Sequence, residues 1–360
     1  MAYLHYSNVR IAGIAAGVPK RVKNNLTDEE NISKEYTPED FVKTTGVVER
    51  HVSKTLCTSD LCYAAAEKLI AELQWDKSEI GALVFVSQTA DYILPATSCI
   101  LQDRLGLSKE CYATDCALGC SGWVYGLSQV LGLICTGEIK KALLLVGDAK
   151  KRAEGPSDPL FGSAGTATAV EYSEGAKDFQ FHFGTDGSGY DAIITPDGGS
   201  RNQVSPKSFE YEEIEGKMYN RMMTRMNGMD VFSFAISTAP KSVKRLAEHF
   251  GFDYHHADYF VFHQANMKIN NMIIKKLKLD ETKVPTCMSH YGNTSSASIP
   301  LTIVTRLKSE LPPPIPEDAI RKPVKFICCG FGVGLSWGTV AFEVDNIVVP
   351  EVVLVDELED

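Results

Sequence analysis

The sequence predicts a layered α/β protein made of two copies of one β-α-β-α-β unit, and three observations carry that expectation. Ala82–Val86, Ala142–Asp148 and Asp258–His263 are short apolar runs, the composition of strands buried on both faces, and each is followed by further helix or strand signals. The order of elements recurs: Cys120 lies 34 positions after the strand ending at Val86, and Asn293 lies 31 after Phe262. Finally, Ala164–Glu171 is echoed by Leu335–Glu343, so the closing strands of the two units resemble each other.

In order, Val9–Ile14 reads as a first strand and residues 24–34 as the approach to a short helix. Asp60–Leu73 is helical, with Asp60 suited to the cap and Leu61, Ala64, Ala65, Leu69 and Ile70 on one face. After the strand 82–86 come a helix over Thr97–Leu105 and a strand-like run from Tyr112. A tight small-residue turn then opens an apolar helix over Cys120–Cys135. Its Gly122, Gly126 and Gly132 weaken a helix but admit close backbone packing, so it is expected at the centre of the molecule. The strands 142–148 and 166–172 complete the first unit.

Residues 173–232 read as a bridge, with tight turns at Gly184–Gly189 and a methionine-rich stretch, Met218–Met229, that suits either a capping helix or a pocket wall. The second unit comprises the strand 258–263, a helix over Met267–Leu277, a small-residue helix beginning near Asn293, and strands at Val324–Cys329 and Ser336–Glu343. Ile347–Val355 alternates like an added edge strand and runs into acidic Asp356–Asp360. The expected division is 1–172, a first half; 173–232, a connecting segment; 233–345, a second half; and 346–360, an extension.

Composition narrows the function. With 360 residues, 44 % apolar, the chain holds enough material for two core-bearing halves. A formal net charge of −10 argues against nucleic acid or anionic membrane as the main partner and leaves room for a local basic patch. No run approaches the roughly 18 apolar residues of a membrane span, and the N-terminus lacks an export signal, so a cytoplasmic protein is expected. The ten cysteines then read as reduced core thiols. Cys111, Cys116 and Cys120 miss the ferredoxin ligand spacing at their last interval, which argues against a metal cluster. In the glycine turn Gly330–Trp337 the third glycine of a dinucleotide fingerprint falls on Trp337 and a strand follows, so no cofactor is expected.

Three residues invite one site. Cys120, at the start of its helix, has backbone N–H groups and the helix dipole to stabilise a thiolate. His263 ends a buried strand, where α/β sheets hold ligands, and Asn293 sits in a turn feeding a helix. Singly they read as packing, structure and cap; their placement at corresponding edges of two repeats is what singles them out. A Cys–His–Asn order also describes papain-like proteases, but their nucleophile stands near the mature N-terminus in a different local sequence.

The motifs Thr45–His51, Gly119-Cys120-Ser121-Gly122, Leu160–Gly162, Gly184–Ser188, His263–Asn266, Gly292–Pro300 and Gly330–Gly332 together resemble the 3-oxoacyl-acyl-carrier-protein synthase III family of thiolase-fold condensing enzymes, in order and over nearly the whole chain. The resemblance implies a five-layer α-β-α-β-α fold, a homodimer, and carrier-protein or coenzyme A thioesters as partners. It implies that Cys120 takes an acyl group from a thioester and that the backbone N–H groups of Cys120 and Val333 form the oxyanion hole. His263 and Asn293 would then stabilise the enolate from a decarboxylating malonyl thioester, with no cofactor and no metal, in fatty-acid or related lipid and polyketide synthesis.

Ile93, Leu94 and Phe331 are implied as acyl-pocket residues, the Ile93–Pro95 loop matching the one that closes the partner's tunnel. Lys268, Lys275 and Lys276, following His263, would dock an acidic carrier protein; a solvated helix face is the alternative. Departures from the family pattern carry information too. Val333 stands where the family usually has Gly, and Leu160-Phe161-Gly162-Ser163-Ala164-Gly165 replaces its usual Phe-Gly-Asp-Gly-Ala-Gly; Asp40 and Thr44 stand where the family places the Trp and Arg of its coenzyme A site, which favours a carrier-bound or unusual acyl donor. Transfer of the Cys-bound acyl group to an alcohol or amine is the first alternative activity. A non-catalytic partner subunit is the second.

Overall fold

The computed structural model describes residues 1–28, 37–149, 158–214, 217–313 and 322–358. Its principal elements are β1 (Ala2–Tyr6), β2 (Val9–Pro19), α1 (Pro38–Thr45), α2 (Thr58–Leu73), β3 (Ile80–Val86), α3 (Thr97–Arg104), β4 (Tyr112–Cys116), α4 (Gly122–Ile134), β5 (Lys141–Asp148) and β6 (Ala164–Tyr172). There follow β7 (Phe179–Thr185), α5 (Gly228–Phe250), β8 (Tyr259–Phe262), α6 (Met267–Leu277), α7 (Ser298–Arg306), β9 (Val324–Gly332), β10 (Ser336–Val344) and β11 (Val353–Val355).

Two sheets form. One has six strands in the order β11-β2-β6-β5-β3-β4 and the other five in the order β1-β7-β10-β9-β8. In the first, β3 runs parallel to β4 and β5, while β5–β6 and β6–β2 are antiparallel. In the second, β8–β9 is parallel, and β9–β10 and β10–β7 are antiparallel. The sequence β7-β10-β9-β8 therefore repeats β2-β6-β5-β3, strand for strand and direction for direction.

Each strand is apolar because it has two faces to bury. Val84, Val86, Leu144 and Val146 point into a central core with Trp123 and Leu127, while Leu83, Phe85, Leu143 and Leu145 pack outward with Leu69 of α2. A separate outer core joins Phe260, Phe262 and Ile327 to Val243 of α5 and Ile273 of α6. Helices α4 and α7 touch both sheets, α2 covers one outer face and α5 the other, which gives five layers. Within the central layer α4 lies so close to the first sheet that a Cβ at Gly126 would stand 2.6 Å from Leu144 Cδ1 and 2.7 Å from Val86 Cγ2. Among the described residues no helix is long and apolar enough to cross a membrane.

Several expectations are amended. The segment 173–232 contains β7, a full strand of the second sheet, whose alternation Phe179, Phe181, Phe183 buries one face. Helix α5, absent from the sequence reading, has Pro240 inside it and starts at Gly228 behind Asn227, whose Oδ1 accepts from the N–H groups of Met229 and Asp230. The methionine-rich stretch is not a helix until α5 begins at Gly228: Lys217–Tyr219 and Arg225–Met226 are ribbon strands. Helix α2 begins behind Cys57, and Asp60 serves as the reciprocal N3 acceptor, its carboxylate taking the Cys57 N–H at 2.8 Å. Of the 24–34 stretch, Asn24 ends a ribbon strand paired with Glu49–His51, and residues 29–34 lie outside the described residues. The C-terminal β11 adds to the edge of the first sheet, parallel to Gly17–Pro19.

Candidate active site

Cys120 stands one residue further out than the sequence suggested. Ser121 is the N-cap of α4, and Cys120 occupies the turn before it, closed by the Gly122 N–H to the Gly119 carbonyl at 2.7 Å. It is partly exposed. The last residues of β9 run directly against it: a Cβ at Gly332 would lie 2.6 Å from Cys120 Cβ and 2.8 Å from Sγ. Hydroxyls pin the same approach, with Ser121 Oγ 2.7 Å from Ser336 Oγ, which donates to the Val333 carbonyl at 2.8 Å. Val333 is not among the non-glycine residues of positive φ, so the turn makes no demand that valine cannot meet.

His263 follows β8, and its N–H bonds the Cys329 carbonyl at 2.9 Å. Its ring is 1 % exposed, with Nδ1 2.8 Å from Ser298 Oγ and the ring standing edge-on to Phe331 at 5.6 Å. Burial drives its pKa down to about 3, against a smaller upward pull from the Ser295 backbone, so the imidazole is neutral at physiological pH. Phe331, 2 % exposed, is part of the packed wall behind His263.

Asn293 is held at both backbone ends, its N–H on the Leu160 carbonyl at 2.9 Å and its carbonyl receiving the Gly162 N–H at 3.1 Å. Its Oδ1 accepts the Ser295 N–H at 2.9 Å, which fixes the amide orientation. The NH2 group, with two donors, makes one long contact, to the Ala265 carbonyl at 3.4 Å. One run of contacts thus connects the three: Asn293 and His263 both meet Ser295, His263 meets Phe331, and Gly332 meets Cys120.

Other expected residues lie elsewhere. Ile93 and Leu94 are 93 % and 84 % exposed and enclose nothing in their own chain. Lys268 and Lys275 flank a surface cavity of about 510 Å3 floored by Phe232, Met272 and Leu279, where Lys278 joins them and Lys276 does not. Asp40 belongs to the cap of α1, its N–H and carboxylate both bonded to Thr37 Oγ1. Among the described residues no three His, Cys, Asp or Glu side chains form a group that could hold a metal ion.

Sequence reasoning missed two supports. Ser298 reaches the His263 ring. Asp148, 3 % exposed at the end of β5, accepts from Ser87 Oγ (3.0 Å), the Gln88 N–H (2.8 Å), Thr89 Oγ1 (3.1 Å) and, across the two halves, Ser296 Oγ (3.1 Å). A lone carboxylate closing an apolar strand, and the serine-rich Ser295-Ser296-Ala297-Ser298, were the available signals.

Two family models match, "3-Oxoacyl-[acyl-carrier-protein (ACP)] synthase III" over residues 114–187 and its C-terminal counterpart over 247–344. A beta-ketoacyl-[acyl-carrier-protein] synthase III from Symbiobacterium thermophilum is 31 % identical over 340 residues, which span 92 % of this chain and 97 % of that one. The chain belongs to the 3-oxoacyl-[acyl-carrier-protein] synthase III family. Solved family structures agree in fold. A 3-oxoacyl-(acyl-carrier protein) synthase from Burkholderia xenovorans superposes with a TM-score of 0.86 at 36 % identity, covering 98 % of this chain and 99 % of that one. A synthase III from Pseudomonas aeruginosa gives 0.78 at 28 %, covering 95 % and 100 %. The five layers are thus the thiolase-like architecture of this family, and the two matched segments contain Cys120 on one side and His263, Asn293 and Val333 on the other.

Proposed function

We propose that this member of the synthase III family is an acyltransferase-class condensing enzyme that performs decarboxylative Claisen condensation through Cys120, His263 and Asn293. The observation that carries the reading is the fixed amide of Asn293: with Oδ1 taken by the Ser295 N–H, its NH2 group is the end left to meet a ligand oxygen, beside a buried neutral imidazole.

The Cys120 thiolate attacks an acyl thioester; the acyl–sulfur bond of the donor breaks and its sulfur leaves as a thiolate, which takes a proton from solvent. Backbone N–H groups of Cys120 and Val333 stabilise the oxyanion. A malonyl thioester then loses carbon dioxide, and the electron pair passes to its thioester oxygen, where His263 and Asn293 each donate a hydrogen bond. The enolate carbon attacks the acyl carbonyl, the bond to Cys120 breaks, and a 3-oxoacyl thioester departs as the thiolate is restored. Neither residue has to give up its proton, so two neutral hydrogen-bond donors suffice for the enolate in a reading without cofactor or metal.

The setting is fatty-acid or related lipid synthesis in the cytoplasm. The exposed Ile93–Leu94 tip supports a homodimer in which each protomer's loop closes the other's acyl tunnel. Lys268 and Lys275, with Lys278 rather than Lys276, form the surface offered to an acidic carrier protein. Incubation with acyl thioesters on carrier protein and on coenzyme A should give an acyl mass adduct that Cys120→Ala abolishes and Cys116→Ala leaves intact, and malonyl donor should then release carbon dioxide. An adduct discharged to an alcohol or amine without carbon dioxide would replace condensation by acyl transfer. No adduct with any donor would leave a non-catalytic subunit.

A further inference from the structure

The proposed chemistry requires the single ring proton of His263 to sit on the nitrogen facing substrate, and we propose that Ser298 is the positioning residue that puts it there. The inference rests on the reading of His263 as a hydrogen-bond donor to the enolate.

Ser298 is fully buried at the first position of α7, and its Oγ lies 2.8 Å from His263 Nδ1. The same oxygen receives the Gln264 N–H at 3.4 Å, so one of its acceptor sites is already engaged. A serine hydroxyl has one proton to give. Donated to Nδ1, it makes that nitrogen the acceptor and leaves the proton on Nε2. Thr302, the next hydroxyl along the helix, donates instead to the Ser298 carbonyl at 2.7 Å and does not compete for the ring. The ring's other polar neighbour is the Ser295 backbone, and burial keeps the imidazole from carrying both protons at once. Gln264 is itself fixed, its amide donating to the Phe262 carbonyl at 2.8 Å and accepting from Thr286 Oγ1 at 2.6 Å, so the segment presenting both partners to Ser298 is held from behind.

The test is nitrogen-15 NMR of the full chain at neutral pH, with the His263 resonances assigned by their loss in His263→Gln. The expected result is an Nε2–H tautomer in the unmodified chain and a mixture of tautomers in Ser298→Ala. That variant should retain Cys120 acylation, with kcat for carbon dioxide release about tenfold lower, the scale of one neutral hydrogen bond. An Nδ1–H tautomer in the unmodified chain, or an undisturbed Nε2–H tautomer in Ser298→Ala, overturns the proposal whatever the activity. Failure of the condensing reading itself shows differently, as no acyl adduct on the unmodified chain while the tautomer remains measurable.

Discussion

At the scale of single residues the decisive property is neutrality. His263 is a neutral hydrogen-bond donor, with one ring proton to give, because its surroundings exclude charge, and burial holds its pKa to about 3 against an ordinary value of about 6.5. An imidazole whose pKa is lowered by folding contributes stability that is fully present above about pH 6.5 and is lost as pH falls toward 3, because the unfolded chain takes up a proton that the folded chain refuses. Urea midpoints should therefore fall more between pH 7 and pH 5 in the unmodified chain than in His263→Gln, which has no such proton to gain. On the activity side, carbon dioxide release from the pre-acylated enzyme should show no inflection from His263 between pH 5 and 8. A step near pH 6.5 that vanishes in His263→Gln would mean that the imidazole titrates freely, against its burial. Sequence placed this histidine at a strand end, but not its ionisation: nothing in His263-Gln264-Ala265-Asn266 declares that the ring will be 1 % exposed with a hydroxyl on Nδ1.

At the scale of elements the site depends on how closely β9 approaches the turn before α4. Gly332 is required by space, since its Cβ would fall 2.6 Å from the Cβ of Cys120 and 2.8 Å from its sulfur. Gly332→Ala should displace the sulfur and lower the acylation rate about 100-fold, the penalty typical of a misplacement on the ångström scale. Gly228→Ala, at the first position of α5 with nothing within 4 Å, should leave it within about twofold in the same stopped-flow measurement. Equal rates in the two variants would show that β9 and the Cys120 turn yield to each other freely. Much at this scale was legible beforehand. The strands β3, β5, β8 and β9 announce themselves as doubly buried apolar runs, and α6 falls on Met267–Leu277 as its periodicity indicates. Helix α5 was not legible, because Pro240 interrupts its pattern and its cap, Asn227, follows a methionine-rich stretch with no clear period. Nor was β1, a five-residue edge strand that gains its place only by pairing with β7, far away in sequence.

At the scale of the whole molecule the chain's last segment is fastened to its first. Strand β11 lies beside β2, Lys20 pairs with Asp356 at 2.9 Å, and the Lys20 N–H meets the Val355 carbonyl at 2.8 Å. The next residue closes the clasp. The Glu357 carboxylate receives Ser53 Oγ at 2.7 Å, Thr55 Oγ1 at 2.6 Å, and the backbone N–H groups of Lys54 and Thr55 at 3.0 and 2.9 Å. Burial pushes its pKa up, but these hydrogen bonds outweigh burial and hold it at about 2. A carboxyl with a lowered folded pKa stabilises above its unfolded value of about 4.3, and that contribution is lost as pH falls toward 2. The loop it grips leads straight into α2, where the Thr58 hydroxyl meets Thr89 Oγ1 at 2.7 Å and Thr89 meets Asp148, the carboxylate shared with Ser296 beside the candidate site. Glu357→Gln should thus lower stability at pH 7 by about 1 kcal/mol, within the range for a charge-assisted hydrogen bond discounted for partial exposure. The deficit relative to the unmodified chain should shrink as pH approaches 2. Amide hydrogen exchange should quicken over residues 53–60 and 353–358 while β8 stays protected. Unchanged exchange at 53–60 in Glu357→Gln would mean that the tail rests on the loop without holding it.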